Sequence, residues 1–261
     1  MGTITKALDL LNFFAKQKPE IGLTEFVRLV NRDKATVHRH LTELMENGFL
    51  EQNPVTRAYR LGPAILRLSG VREATHPLRS VLRPIVEDIA RQVGELTHVS
   101  LLQGDVLSPA LHFDPMTHGT QVAFDESEIL PLHATSSGLA VLAFADEDVT
   151  RSVLKRPLTK YADGTITTAD ELRSVLDEVR RTGTASQDRT FDSEVCSQGA
   201  PLFGVGGKVV GAVSIALPAV RDTDEKRAEI REALRDGMVR ITHQLGGDLP
   251  PEHADKWQSA A

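Results

Sequence analysis

The sequence predicts an α+β protein: an N-terminal winged helix-turn-helix domain, then a linker helix, then a larger domain with helices against an antiparallel sheet. Three observations predict it. Residues 33–61 read as one amphipathic helix, a glycine and two short strands. From Gly94 the periodicity changes, and two apolar runs flank Gly104-Asp105 as a hairpin would. The charge divides in the same way. Of 30 Lys+Arg and 36 Asp+Glu, 11 and 8 lie in residues 1–75, which leaves 19 and 28 for the rest. A net charge of −6 therefore hides a basic N-terminal part (+3) and an acidic remainder (−9).

Taken in order, residues 4–16 place Ile4, Leu8, Leu11 and Ala15 on one face, with Ala7, Leu10 and Phe14 beside it, the spacing of a first core helix. Pro19 and Gly22 break it, and Thr24 opens a short helix over 25–30 whose Phe26, Leu29 and Val30 meet the first. After a turn at Asn31-Arg32, Asp33 is placed to cap a helix reaching Asn47, with Val37, Leu41 and Leu44 inward. The other face carries Arg39, with Ala35, Thr36, Thr42 and Glu43 around it and His38 and His40 on its flanks. Gly48 stops that helix, and residues 49–52 and 58–61 form strands about a turn at 53–57. In a helix-turn-helix the second helix of the pair enters the major groove. A basic half-domain with Thr36 and Arg39 outward fits nucleic acid better than a purely protein-binding surface. Thr36 and Arg39 are expected at base edges, and Lys34, His38 and the wing's Arg57 at phosphates, with Ala35 and His40 on the same surface.

Pro63 starts a helix through about Glu73, and Thr75-His76-Pro77 interrupts it before an amphipathic segment carrying Leu78, Leu82, Ile85, Ile89 and Val93. Residues 97–103 and 106–113 are expected strands, and 114–128 a loop with one short strand near Val122. Residues 130–138 place Thr135, Ser136 and Ser137 at a helix start, followed by a short helix over 146–155. Thr168 and Glu171 make a capping box for a helix through Arg181, which Gly183 ends. Strands over 184–188, 199–203 and 208–217 follow, then a final helix capped by Asp222 and Glu225 that runs to Leu245. The expected division is 1–62 winged helix, 63–76 linker helix, 77–247 second domain and 248–261 a disordered polar tail.

With 41% apolar and 25% charged residues the chain has core enough for two domains. It shows no run of eighteen apolar residues and no leader pattern, so no membrane partner and a cytoplasmic location are expected. A single cysteine excludes an internal disulfide framework and a multi-cysteine zinc motif. His98, His112, His118 and His133 with Asp114 contain no H-x-x-x-H pair, so no metal is expected. Cys196 reads as packing, and the glycines at 204, 206 and 207 join two strands with no helix to seat a phosphate. No catalytic residue and no cofactor are expected. The alternative is an enzyme of small-molecule acids carrying a winged-helix appendage, which would turn over its ligand and need no specific DNA site.

Three segments together carry a family resemblance: Lys34-Ala35-Thr36-Val37-His38-Arg39, LPLHATSSG over 130–138, and Gly199–Phe203 followed by Val209–Pro218. Over nearly its whole length the chain resembles the isocitrate-lyase-regulator (IclR) family of bacterial transcription factors. The resemblance implies a C-terminal ligand-binding domain of GAF-like fold, homodimers through the N-terminal and linker helices, and dimers of dimers through the C-terminal domains. It also implies pseudo-palindromic operator DNA as partner, with repression under effector control. Its ligand pocket falls here on Leu130, His133, Ser136, Ser137, Gln187, Ser197, Ser214 and Ala216. One segment departs from the family pattern: after Gly183 the family's two acids are replaced by Gln187 and Thr190, and Cys196 lies one position before the expected cysteine, at Ser197. With Gln187 in place of an acid and free N–H groups at the Ser136-Ser137 helix start, a small organic acid with a polar substituent is the expected effector. Leu130 and Ala216 would bound its apolar part.

Overall fold

The computed structural model describes residues 2–15, 17–251 and 257. It divides into two compact units, residues 1–77 and 78–261. The first contains α1 (Thr3–Leu8), which tightens into a 3-10 turn over Asp9–Phe13, then α2 (Leu23–Val30) and α3 (Lys34–Glu46). The hairpin β1 (Leu50–Gln52) and β2 (Tyr59–Leu61) and helix α4 (Pro63–Thr75) complete it. The expected first helix is shorter and turned differently. Ile4 and Leu8 are 77% and 47% exposed, whereas Leu10 and Phe14 are buried. The 3-10 turn advances each residue by about 120° instead of 100°, which swings Leu10 and Phe14 inward. Phe14 meets Phe26 edge-on at 5.7 Å, and Phe26 in turn meets Tyr59 at 6.3 Å. Lys16, the expected last residue of that helix, lies outside the described residues.

Asp33 caps α3, its Oδ1 accepting from the Thr36 amide at 2.8 Å. Asn47 ends the helix, and Gly48 takes φ +74°, a left-handed value that redirects the chain into β1. Gly62 sits so close to the Gly48 carbonyl and the Leu50 backbone that any Cβ would collide with them, which fixes the exit of the hairpin into α4. Ile21 exchanges two backbone hydrogen bonds of 2.9 Å with Tyr59, so α2 is tied to the wing.

The second unit is a six-stranded sheet of order β5-β4-β3-β8-β7-β6, antiparallel throughout. Its strands are β3 (Leu96–Gln103), β4 (Val106–Phe113), β5 (Leu130–Pro131), β6 (Ala185–Asp188), β7 (Val195–Phe203) and β8 (Val209–Pro218). Val99, Leu111, Ala200, Leu202, Val213 and Ile215 cover one face against α5 (Leu78–Val93) and α9 (Asp224–Gln244). The other face packs against α6 (Ser136–Phe144) and α8 (Ala169–Thr182), with α7 (Glu147–Leu154) joining them. Alternation along the strands produces this sorting, since register partners share a face.

Three local expectations are corrected here. No strand forms near Val122: side chains anchor that loop instead, Asp114 accepting from the Met116 amide at 2.8 Å and Arg221 donating to the Thr120 carbonyl at 2.8 Å. Thr223, and not Asp222, caps α9, because Asp222 is engaged by Arg227 in a bidentate pair of 2.9 and 2.6 Å. The expected tail falls mostly on residues outside the described ones, 252–256 and 258–261. Trp257, however, is 2% exposed, packs on Phe144 and Phe203, and donates its indole N–H to the Gly183 carbonyl at 2.9 Å. A large ring with a polar handle gains enough by burial to account for the packing of Trp257 itself.

Candidate functional site

Two surfaces hold the residues singled out in the sequence. In the first unit α3 exposes Lys34, Ala35, His38 and Arg39, with Thr36 half-buried behind the cap. His40 is a correction. It is 2% exposed because Val37, His40, Leu41 and Leu44 fall at i, i+3, i+4 and i+7, which makes it part of the inward stripe. Arg57 stands exposed at φ +59° in the wing turn, where Gln52 Nε2 donates to its carbonyl at 2.8 Å and Asn53 Oδ1 accepts from the Val55 amide at 2.9 Å. Between α2, α3 and the wing opens a cleft of about 590 Å³ lined by Thr24, Arg28, His38, Gln52, Thr56 and Arg57. Lys34, Arg39 and Arg28 have no ion-pair partner among the described residues, so their charge faces solvent. Arg28 was missed in the sequence, its only signal being a basic residue on the outward face of α2.

In the second unit a cavity of about 280 Å³ lies between one sheet face and the start of α6. Thr135 builds that start. Its Oγ1 accepts from the Gly138 amide at 3.0 Å and from Ser137 Oγ at 3.2 Å, and donates to the Pro131 carbonyl at 3.0 Å. Gly138 is required because a Cβ there would fall on the Leu132 backbone. Of the eight expected ligand residues, Leu130, Ser136, Ser137, Ser197 and Ala216 line this cavity. The other three stand behind or beside it. His133 Nε2 is 3.0 Å from the Thr159 carbonyl, and Gln187 is buried opposite Ser197 in the β6–β7 ladder. Ser214 is fully buried on β8 between His98 and Gly199, and its Oγ has no hydrogen-bond partner among the described residues.

Several wall residues escaped the sequence reading, among them His98, Phe124, Glu128, Tyr161, Phe191 and Asp192. Most sit on irregular segments with no periodic signal, and in the sequence His98 stands out only as a candidate metal ligand. Its ring lies 4.7 Å from that of Phe124 and its Nδ1 is 3.2 Å from Ser100 Oγ; burial, with His112 nearby, pushes its pKa down to about 3, so it is neutral. Burial, Asp125 and Asp192 hold the Glu128 carboxyl above its ordinary range. No lysine or arginine lines the cavity. Thr190, at the position of one missing acid, donates to the Ala134 carbonyl at 2.7 Å and so ties its loop to the approach of α6.

Cys196 is 3% exposed, and its thiol donates to Asp188 Oδ1 at 3.2 Å. Burial first, then the carboxylates of Asp188 and Asp222, push it up to about 12, which leaves no thiolate for nucleophilic chemistry at neutral pH. The ligand atoms of Asp188, Cys196 and Asp222 lie within 4.8 Å of one another, a grouping that sequence spacing does not reveal, but Arg227 already neutralises Asp222.

Comparison with known proteins places both surfaces in context. Residues 3–54 match the IclR helix-turn-helix domain and residues 73–243 match the bacterial transcriptional regulator IclR C-terminal domain. The chain is 25% identical over 248 residues to the HTH-type transcriptional regulator XynR of Escherichia coli K12, covering 94% of this chain and 97% of that one. A crystal structure of a putative IclR transcriptional regulator from Silicibacter sp. TM1040 is 41% identical, with TM-score 0.89 over 96% of this chain and 99% of the other. An IclR homolog from Microbacterium hydrocarbonoxydans, solved in complex with 4-hydroxybenzoate, is 24% identical with TM-score 0.72, covering 94% and 99%. Other matched relatives are named repressors, the transcriptional repressor IclR of Escherichia coli K12 and the acetate operon repressor of Salmonella typhimurium among them.

Proposed function

The chain belongs to the IclR family of bacterial transcriptional regulators, and from that premise we propose that it represses transcription from a pseudo-palindromic operator under control of a small organic acid. The observation that carries the reading is the pairing of an exposed, unneutralised α3 face with a cavity of about 280 Å³ in the second unit. Arg39 and Thr36 read base edges, and Lys34, His38, Arg57 and Arg28 hold phosphates. The acid seats at the start of α6, where the Ser136 and Ser137 amides precede the helix's hydrogen-bonded turns and its positive dipole end favours a carboxylate. The Microbacterium relative binds an organic acid, but at 24% identity that likeness speaks for the fold, and the ligand class here rests on the cavity. Only a ligand with different affinity for two arrangements of the protein changes its DNA binding, so the acid is required to favour one spacing of two winged helices over another.

A second copy of the chain supplies the other half-site. Ile4 and Leu8 on α1 and Leu66, Leu68 and Val71 on α4 are large apolar side chains left between 42% and 78% exposed, more than a lone small unit needs to show. Selection from random duplexes should therefore enrich two related half-sites, and light scattering at micromolar concentration should give a dimer or tetramer. A purely monomeric protein enriching one short, non-repeated site is the contrary result.

A further inference from the structure

Resting on the reading of the cavity as the effector site, we propose that it selects an organic acid that also carries a positively charged nitrogen, the cation seated at the mouth among Glu128, Asp192, Tyr161 and Phe191. The two ends of the cavity offer opposite chemistry. At the inner end Ser136 and Ser137 are 2% and 1% exposed at the start of α6, and behind them Ser214 Oγ is buried without a hydrogen-bond partner among the described residues. That hydroxyl lies beside the helix start: a Cβ on Gly199 would meet both Ser214 Oγ, at 2.5 Å, and the Ser136 backbone, at 2.9 Å. Donors are plentiful there, and a full charge is absent.

The mouth is the reverse. Glu128 and Asp192 are exposed carboxylates, Asp192 close enough to help raise the Glu128 carboxyl, and Glu128 bears on Tyr161. The Tyr161 and Phe191 rings stand 5.1 Å apart at 52°, presenting aromatic faces beside the two acids. Carboxylates with aromatic faces are the setting in which ammonium groups are held. A simple monoanion would pass two negative groups and find no basic side chain to offset them, since neither lysine nor arginine lines the walls and His98 is neutral. A simple cation would leave the α6 amides unmatched. A zwitterion meets both ends, and the small volume restricts it to a compact one.

The full-length protein tests this by calorimetry and thermal melting with 4-(trimethylammonio)butanoate against 5,5-dimethylhexanoate, which replaces the charged nitrogen by carbon in the same shape. 4-Aminobutanoate against pentanoate is the second pair. In each pair the zwitterionic member should bind at least about tenfold more tightly. A Glu128→Gln, Asp192→Asn double variant, both positions exposed, should erase that preference and bind the monoanionic member at least as well as the wild type does. Equal or tighter binding of the monoanionic members, or no binding of either zwitterionic probe at millimolar concentration, overturns the inference. If the monoanionic acids bind as tightly as the zwitterions and Ala216→Leu blocks them, the effector site stands and only the charge selection falls. If zwitterions bind but Ala216→Leu has no effect on them, the site itself is misplaced and the inference falls with it.

Discussion

Replacing Thr135 by valine keeps the shape of the side chain and removes the oxygen on which the start of α6 is built. That oxygen accepts from the Gly138 amide at 3.0 Å and from Ser137 Oγ at 3.2 Å, and it donates to the Pro131 carbonyl at 3.0 Å. Losing a helix N-cap costs about 1 kcal/mol. Thr135 is 8% exposed and Gly138 is buried, so the loss also leaves a desolvated N–H without a partner, which brings the total to roughly 2–3 kcal/mol. In a domain of this size that lowers Tm by about 4–12 °C. Thr135→Ser, which restores the oxygen, should recover most of the loss. The assay is thermal melting of the two variants beside the wild type, followed by far-UV circular dichroism. A valine variant that melts with the wild type, or a serine variant as damaged as the valine one, would refute the role assigned to this hydroxyl in shaping the cavity.

Arg39→Ala should weaken operator binding by roughly 1–3 kcal/mol and relax selection at one base pair, whereas Arg57→Ala should weaken all sequences alike and flatten the salt dependence, both read by fluorescence anisotropy against salt. His98 has a folded pKa near 3 against 6.5 for the free group, so between those values the unfolded chain binds a proton that the folded chain does not. Its contribution to stability is complete above pH 6.5 and is lost as pH falls, by about 2 kcal/mol between pH 6.5 and 5, and urea titrations should show a shallower pH dependence in His98→Gln.

The N-terminal unit was largely legible because its signals are local. A 3.6-residue stripe, the Asp33 cap, Gly48 and the wing turn each sit within a few residues of what they specify. His40 was misplaced only because the stripe was read one residue too narrow, and α1 because a 3-10 turn is invisible to a 100° wheel. The sheet was legible in its strands, but Val195–Cys196 was missed as strand, since its pairing depends on Leu217 and Pro218 more than twenty residues away. The cavity divides in the same manner. Its floor lies on regular elements, so Ser136, Ser137, Ser197 and Ala216 were found through the family resemblance. Its mouth is made by loops at 122–128, 161 and 190–192, whose side chains meet only through tertiary packing, and Glu128 and Asp192 reverse the expectation of a wall freed of acids. Trp257 escaped for the opposite reason, being one apolar residue in a segment whose composition reads as unstructured.

The central claim is that the cavity controls DNA binding, and one titration tests it most directly. Operator affinity is measured by anisotropy in the presence of a panel of hydroxy, keto, aromatic and amino acids, for the wild type and for Ala216→Leu, which fills the cavity from the sheet side where Ala216 is 7% exposed. At least one acid should change wild-type operator affinity by fivefold or more, about 1 kcal/mol of coupling, and leave the Ala216→Leu affinity unmoved. An acid that shifts both proteins equally would place the controlling site elsewhere and contradict the account.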